Sequence, residues 1–194
     1  MNMPLDALPD ASDEALLVAF GNGNTDAARV LTGRLTPRAL GYSTRLLRDR
    51  AEAEDVVQEA MLRLWKIAPD WRQGEAKIST WLYRVVSNLC TDRLRRRRNV
   101  SIDAIAEPED ERPGAEEQLT QAARMKALDA ALAQLPERQR QAVVLRHIEG
   151  VSNPEIAAIM EISTEAVESL TARGKRALAQ ALAGKRAELG YSNG

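Results

Sequence analysis

Cysteine and histidine are almost absent: the 194 residues hold one of each, Cys90 and His147. One cysteine excludes a disulfide framework. The pair cannot supply the roughly four ligands of a structural zinc site, and no metal or cofactor is expected. A lone histidine leaves most acid–base enzymes without their usual group. Strand signals are also missing, because β-branched residues rarely alternate with polar ones and Gly-rich hairpin turns do not occur. No stretch approaches the roughly 18 apolar residues of a membrane span. The opening MNMPLDALPDASDEALL is acidic, with no basic start leading into an apolar run, so it does not read as a secretory signal. A soluble, reduced, cytoplasmic protein with no membrane insertion of its own is expected.

What is present is helical. Hydrophobic residues make up 44%, enough for one core or two small ones, and they recur at helical spacing. Ser12 before Asp13 and Glu14 opens a first helix. The pattern predicts further helices over about 25–47, interrupted at Pro37, over 51–68, and from Ser79 to about residue 98. Later helices are expected over 118–134, 136–147, 153–160 and 164–183. The whole reads as an all-α chain of two small helical domains, 1–98 and 118–194, joined by a flexible acidic linker, 99–117.

The net charge of -1 hides two opposed blocks. Residues 72–98 hold eight bases against two acids, whereas 101–120 hold seven acids against one arginine. Such asymmetry points to distinct partners for distinct segments.

Three segments carry candidate chemistry. In the first, Ser152 to Glu155 is a capping box with Pro154 inside the first turn. A short helix, the turn Glu161-Ile162-Ser163 and a longer helix follow, which is helix-turn-helix arithmetic. Ser163, Thr164, Ser169 and Thr171 are placed to touch bases or phosphates, and Arg173, Lys175 and Arg176 to neutralise phosphates. Glu165 and Glu168 share that face and would repel phosphate, although a glutamate can accept from cytosine N4. Glu161 occupies a turn position where glycine would be easier. An ordinary helical hairpin without DNA is the alternative.

In the second, Trp65, Trp71, Trp81 and Tyr83 lie within 19 residues of one another, beside Arg93 and Arg95 to Arg98. Aromatics stack unpaired bases and arginines track the backbone, a pairing suited to single-stranded DNA. The alternative is core tryptophans beside a solvated helix end. In the third, Asp55 and Glu59 share one face of the acidic helix 51–65. With no histidine and no further ligand set nearby, catalysis or metal binding by this pair is not expected, which leaves a solvated face or a protein-docking face. Gly21 to Asn24 is no phosphate loop, because no Gly-Lys-Ser/Thr follows. His147 is placed to cap carbonyls near a helix end, and Cys90 among apolar residues of a helix.

Taken in order, AEDVVQEAMLRLW, STWLYRVVSNLCTDRLRRRR and LPERQRQAVVLRHIEGVSNPEIAAIMEIS resemble the extracytoplasmic-function (group 4) sigma factors of bacterial RNA polymerase, in the sigma-70 family. The resemblance spans about residues 13–183. It implies that Asp55, Gln58, Glu59, Leu62 and Trp65 form a face docking on core RNA polymerase. It implies a minus-ten reader in the loop 70–78 and the helix after it. Its residues would be Trp71, Gln73, Lys77, Ser79, Thr80, Trp81, Arg84, Asn88, Asp92, Arg93, Arg95 and Arg96. It implies a minus-thirty-five reader in the helix-turn-helix, with promoter DNA as partner and no enzymatic activity. An anti-sigma factor is the expected regulator, wedged between the two domains. The recognition helix departs from the family in carrying Glu168 and Leu170 where a lysine and an arginine are common, and Thr171 and Gly174 where leucine and alanine are commoner. A stand-alone helix-turn-helix regulator is the alternative function.

Overall fold

A computed structural model describes residues 8–72, 74, 77–100 and 116–183, and all its regular elements are helical. They are α1 (Asp13–Gly21), α2 (Thr25–Leu47), α3 (Arg50–Ile67), α4 (Ile78–Val100), α5 (Glu116–Ala133), α6 (Glu137–Val143), α7 (Asn153–Met160) and α8 (Thr164–Ala183). A 3-10 turn, Ala68–Asp70, follows α3, and a π turn, Val144–Ile148, continues α6.

Local chemistry explains most boundaries. Ser12 caps α1, the Asn24 side chain accepts from two amides of α2, and the Asp49 side chain accepts from Glu52 N–H at the start of α3. Ser152 and Glu155 form the expected capping box of α7. Glu161 ends that helix with φ 53°, the left-handed conformation foreseen at this turn.

Three expectations need correction. Pro37 does not interrupt α2, which runs unbroken from Thr25 to Leu47. The carbonyl that loses its donor four residues back belongs to Gly33, and both residues are exposed, so water replaces the bond. Ser79 does not open α4. The helix starts at Ile78, whose N–H donates to the Glu14 side chain of α1 at 3.3 Å, a cap supplied from another helix. The arginine run fills the last two turns of α4, which continues to Val100, with Arg95, Arg96 and Arg98 exposed. Of the expected linker 99–117, residues 99 and 100 belong to α4, 116 and 117 to α5, and the rest lies outside the described residues.

Helices α1 to α4 pack around one another, with α2 touching each of the other three. Helices α6, α7 and α8 form the second group, with α5 laid against α8 and α2. The two groups meet along α4 and α7, and buried apolar residues run continuously from one to the other. Tyr42 is fully buried where they join. Its hydroxyl lies 2.7 Å from Ser87 Oγ, and its ring meets Tyr83 edge to face. Burial raises the phenol far above its ordinary pKa.

Gly174 is buried in α8 against α6. A glycine inside a helix usually costs roughly 1 kcal/mol relative to alanine. Here a Cβ would fall 2.5 Å from Val143 Cγ2 and 3.4 Å from the Gln139 carbonyl. Val143 is buried and β-branched, so it yields poorly. Gly174→Ala is therefore expected to destabilise the protein by about 1–3 kcal/mol in urea unfolding. Much of that loss should return in a Val143→Ala background. A single substitution that stabilises would show the α6–α8 contact to be loose.

Candidate nucleic-acid interface

The exposed side of α3 carries the first candidate surface. Asp55, Gln58 and Leu62 are exposed and Glu59 is half-exposed, with Leu62 at 57%. Leu62 is one of few large apolar side chains left in solvent among the described residues. Beside it α2 and α3 enclose an open groove of about 360 Å³. Thr32, Thr36 and Leu40 form its α2 wall and Val57, Met61 and Trp65 its α3 wall, with Gln58 and Glu54 at the rim. The α2 wall escaped the sequence reading, although its i, i+4, i+8 spacing marks one helix face. Trp65 is half-buried and packs edge to face on Phe20 at 4.9 Å, so it belongs partly to the core.

On α4 the candidate residues fall on one stripe. Lys77, Trp81, Arg84, Asn88, Asp92 and Arg95 recur every three or four positions. Val86, Ser87, Leu89 and Cys90 are buried between them. Ser79, Thr80, Trp81 and Arg93 are half-buried, whereas Asn88, Asp92, Arg95 and Arg96 are exposed. Trp71 stands edge to face with Trp81 at 6.5 Å, and its indole N–H is buried without a partner. Gln73 lies outside the described residues. Arg97 is committed elsewhere: it bonds the Leu47 carbonyl at 2.8 Å and pairs with Glu52 and Asp49. Cys90 is buried as foreseen, and burial pushes its thiol up to about 12.

Two stripe members face the second group of helices. Lys77 Nζ lies 2.8 Å from Glu155, and Arg84 donates to Glu161. Lys77, then Ser152, hold the Glu155 carboxyl down at about 2. Its contribution to stability is thus present above pH 4.5 and lost as pH falls towards 2.

The helix-turn-helix pairs α7 with α8 through buried Ile156, Ile159, Met160 and Val167. Ser163 caps α8, its Oγ accepting from Ala166 N–H at 3.2 Å. Thr164 is half-buried. Glu165, Glu168, Ser169, Arg173, Lys175 and Arg176 are exposed along α8. Thr171 is the one buried member of the set, and its hydroxyl donates to the Val167 carbonyl of its own helix. Arg146, His147 and Asn153 join Glu168, Thr171 and Lys175 around a shallow cleft of about 240 Å³. Arg146 and Asn153 are not among the expected contact residues. They lie outside α8, in the π turn and α7, where no spacing rule connects them to the recognition helix. His147 stands in that π turn rather than at an α-helical end.

Residues 31–100 match the sigma-70 region 2 family and residues 125–178 match sigma-70 region 4. The ECF RNA polymerase sigma factor SigE of Mycolicibacterium smegmatis is 32% identical over 192 residues, covering 94% of this chain and 74% of that relative. The chain belongs to the extracytoplasmic-function sigma factors. ECF sigma factor SigM of Mycobacterium tuberculosis is 35% identical, covering 89% of this sigma factor and 86% of the relative. Among solved structures, CnrH in complex with the cytosolic domain of CnrY matches with TM-score 0.64 and 25% identity, over 90% of this chain and 99% of that one. RpoE in complex with the anti-sigma factor NepR, from Bartonella quintana, shares the fold with TM-score 0.65 at 23% identity, over 78% and 94%. As a sigma factor this protein is a promoter-specificity subunit of RNA polymerase, and no described helix is long and apolar enough to cross a membrane.

Burial, then Lys175 and Arg146, hold the imidazole of His147 below its ordinary pKa of 6.5. On acidification the unfolded chain takes this proton first, so the group's stability contribution is full above 6.5 and declines below it. Because His147 is the sole histidine, its proton resonances report it alone. Lys175→Gln should raise the NMR titration midpoint. An unmoved midpoint would show that Lys175 does not act on the ring.

Proposed function

We propose that this sigma factor engages its partners through the three surfaces in chain order. The α3 face of Asp55, Gln58, Glu59, Leu62 and Trp65 docks on core polymerase. The α4 stripe with Trp71, Gln73 and Lys77 holds the melted minus-ten strand, where bases leave the stack and meet aromatic and arginine side chains. The helix-turn-helix sits in the minus-thirty-five major groove, with Ser163, Thr164, Glu165, Glu168 and Ser169 near base edges and Arg173, Lys175 and Arg176 on phosphates. Residues 1–98 and 118–194 act as the two functional domains, with 99–117 as the connection. The protein is cytoplasmic and performs no chemistry of its own.

The observation carrying this reading is Leu62, exposed among carboxylates at the mouth of an apolar groove. Solvation alone gives no reason for an exposed leucine there, whereas a docked helix from a partner does. An anti-sigma factor is the expected second occupant of such surfaces. The complexes of NepR and CnrY with sigma factors of this fold support that reading.

Run-off transcription with purified core polymerase on fragments of the source genome tests the whole proposal. Initiation at a few discrete sites only when the protein is added is expected. Tight duplex binding without polymerase, and no polymerase-dependent initiation, would favour a stand-alone regulator instead.

Two variants divide the proposal by surface. Asp55→Ala with Glu59→Ala should weaken core binding at least tenfold with an unchanged circular dichroism spectrum. The ion pair lost is the exposed Glu59–Arg63 contact, worth about 0–1 kcal/mol. Unchanged core affinity would refute the docking assignment. Arg173→Ala with Lys175→Ala should weaken minus-thirty-five binding uniformly across sequences and flatten its salt dependence. A changed sequence preference at undiminished affinity would contradict the phosphate role.

A further inference from the structure

The contact between the two groups of helices is electrically one-sided. Lys77 meets Glu155, Arg84 meets Glu161, Arg45 lies 3.2 Å from Asp129, and Arg98 lies 3.5 Å from Glu137. Tyr83 adds a hydroxyl that donates to Glu149. In each ion pair the cation belongs to the first group and the carboxylate to α5 or to the second group. Lys77 and Arg84 form the N-terminal part of the α4 stripe, while Asn88, Asp92, Arg95 and Arg96 remain exposed, Arg95 pairing with Asp92 of its own helix.

Carboxylates offer the same chemistry as phosphodiester oxygens: anionic acceptors for lysine and arginine donors. One cation cannot serve both fully at once. Glu161 reaches Arg84 from a left-handed turn residue, which places its carboxylate outside the helix and against α4.

We propose that the second group of helices is a built-in competitor of single-stranded DNA, its Glu155 and Glu161 occupying Lys77 and Arg84 in the free protein. This rests on the reading of Lys77 and Arg84 as DNA contacts. The strand first engages the uncovered end of the stripe at Arg95 and Arg96. It then displaces the two glutamates, and the α4–α7 contact opens. The closed form and the fully DNA-bound form exclude each other. Lys77, Arg84 and Glu161 are at least half exposed, so salt screens these pairs and exchange is easy.

The test uses the full chain without polymerase. A fluorescent mixed-sequence single-stranded oligonucleotide reports affinity. Energy transfer between dyes on Glu54→Cys and Ala179→Cys reports opening; both sites are exposed, whereas Cys90 is buried. Glu155→Gln with Glu161→Gln should bind the strand about fivefold to tenfold more tightly and lower the energy transfer. Glutamine retains the capping box. Neutralising two acids away from the contact, Asp26→Asn with Glu54→Gln in unlabelled protein, should leave affinity unchanged and so excludes a mere net-charge effect. Lys77→Gln with Arg84→Gln should lower the energy transfer without any gain in affinity. Unchanged transfer and affinity in the glutamate variant would overturn the competition. Lower transfer without tighter binding would overturn it too, and would place the fault in the DNA assignment of Lys77 and Arg84. A matching gain in the Asp26 and Glu54 variant would also overturn it.

Discussion

Tyr42 carries a hydroxyl into the buried join between the two groups of helices, where the Ser87 hydroxyl satisfies it. A buried hydroxyl without a partner costs about 1–3 kcal/mol. Its partner, Ser87, comes from α4, 45 residues away in sequence. The ring adds an edge-to-face contact with Tyr83, whose own hydroxyl donates to Glu149 across the same join. One aromatic pair thus ties α2, α4 and the second group together, beside the ion pairs across the same join.

The charge layout follows the same division. The net charge of -1 is the sum of a basic α4 and acidic segments elsewhere. In the folded chain some of those opposites meet. Glu52 of α3 meets Arg97 of α4, for example, whereas Asp55 on α3 and Arg96 near the end of α4 stay exposed. Such exposed charges suit partners of opposite sign, and Leu62 with its groove adds the apolar component that a purely electrostatic surface lacks.

Much of the local structure was legible in the sequence because its causes are local. The capping box at Ser152 and Glu155, the left-handed turn at Glu161 and the buried Cys90 each depend on neighbours within a few positions. The misses had distant or compensating causes. Pro37 reads as a break, yet the carbonyl it orphans faces water. The start of α4 is capped by Glu14, 64 residues earlier. Thr171 carries the right hydroxyl for a DNA contact, but its position in the 3.6-residue period turns it inward. The contacts between Lys77 and Glu155, or Arg84 and Glu161, leave no trace in spacing because they exist only once two separate helices are packed. The same limit hid the α2 wall of the groove and the place of Arg146 and Asn153 beside Lys175.

The π turn at Val144–Ile148 has a consequence of a different kind. Glu149 N–H bonds the Val144 carbonyl at 3.0 Å, five residues back, so this turn holds one residue more than an α-helix needs. Val144 and Leu145 supply the core, while Arg146, His147 and Ile148 are exposed. The helix therefore carries a spare residue on its outer side. Deleting one exposed position there would let the turn relax into α geometry without shifting the register of the buried pair before it. Elsewhere in these helices a deletion would rotate every following side chain by about 100°. The chain can thus shorten at the edge of its recognition unit, where the length of a helix would otherwise be fixed.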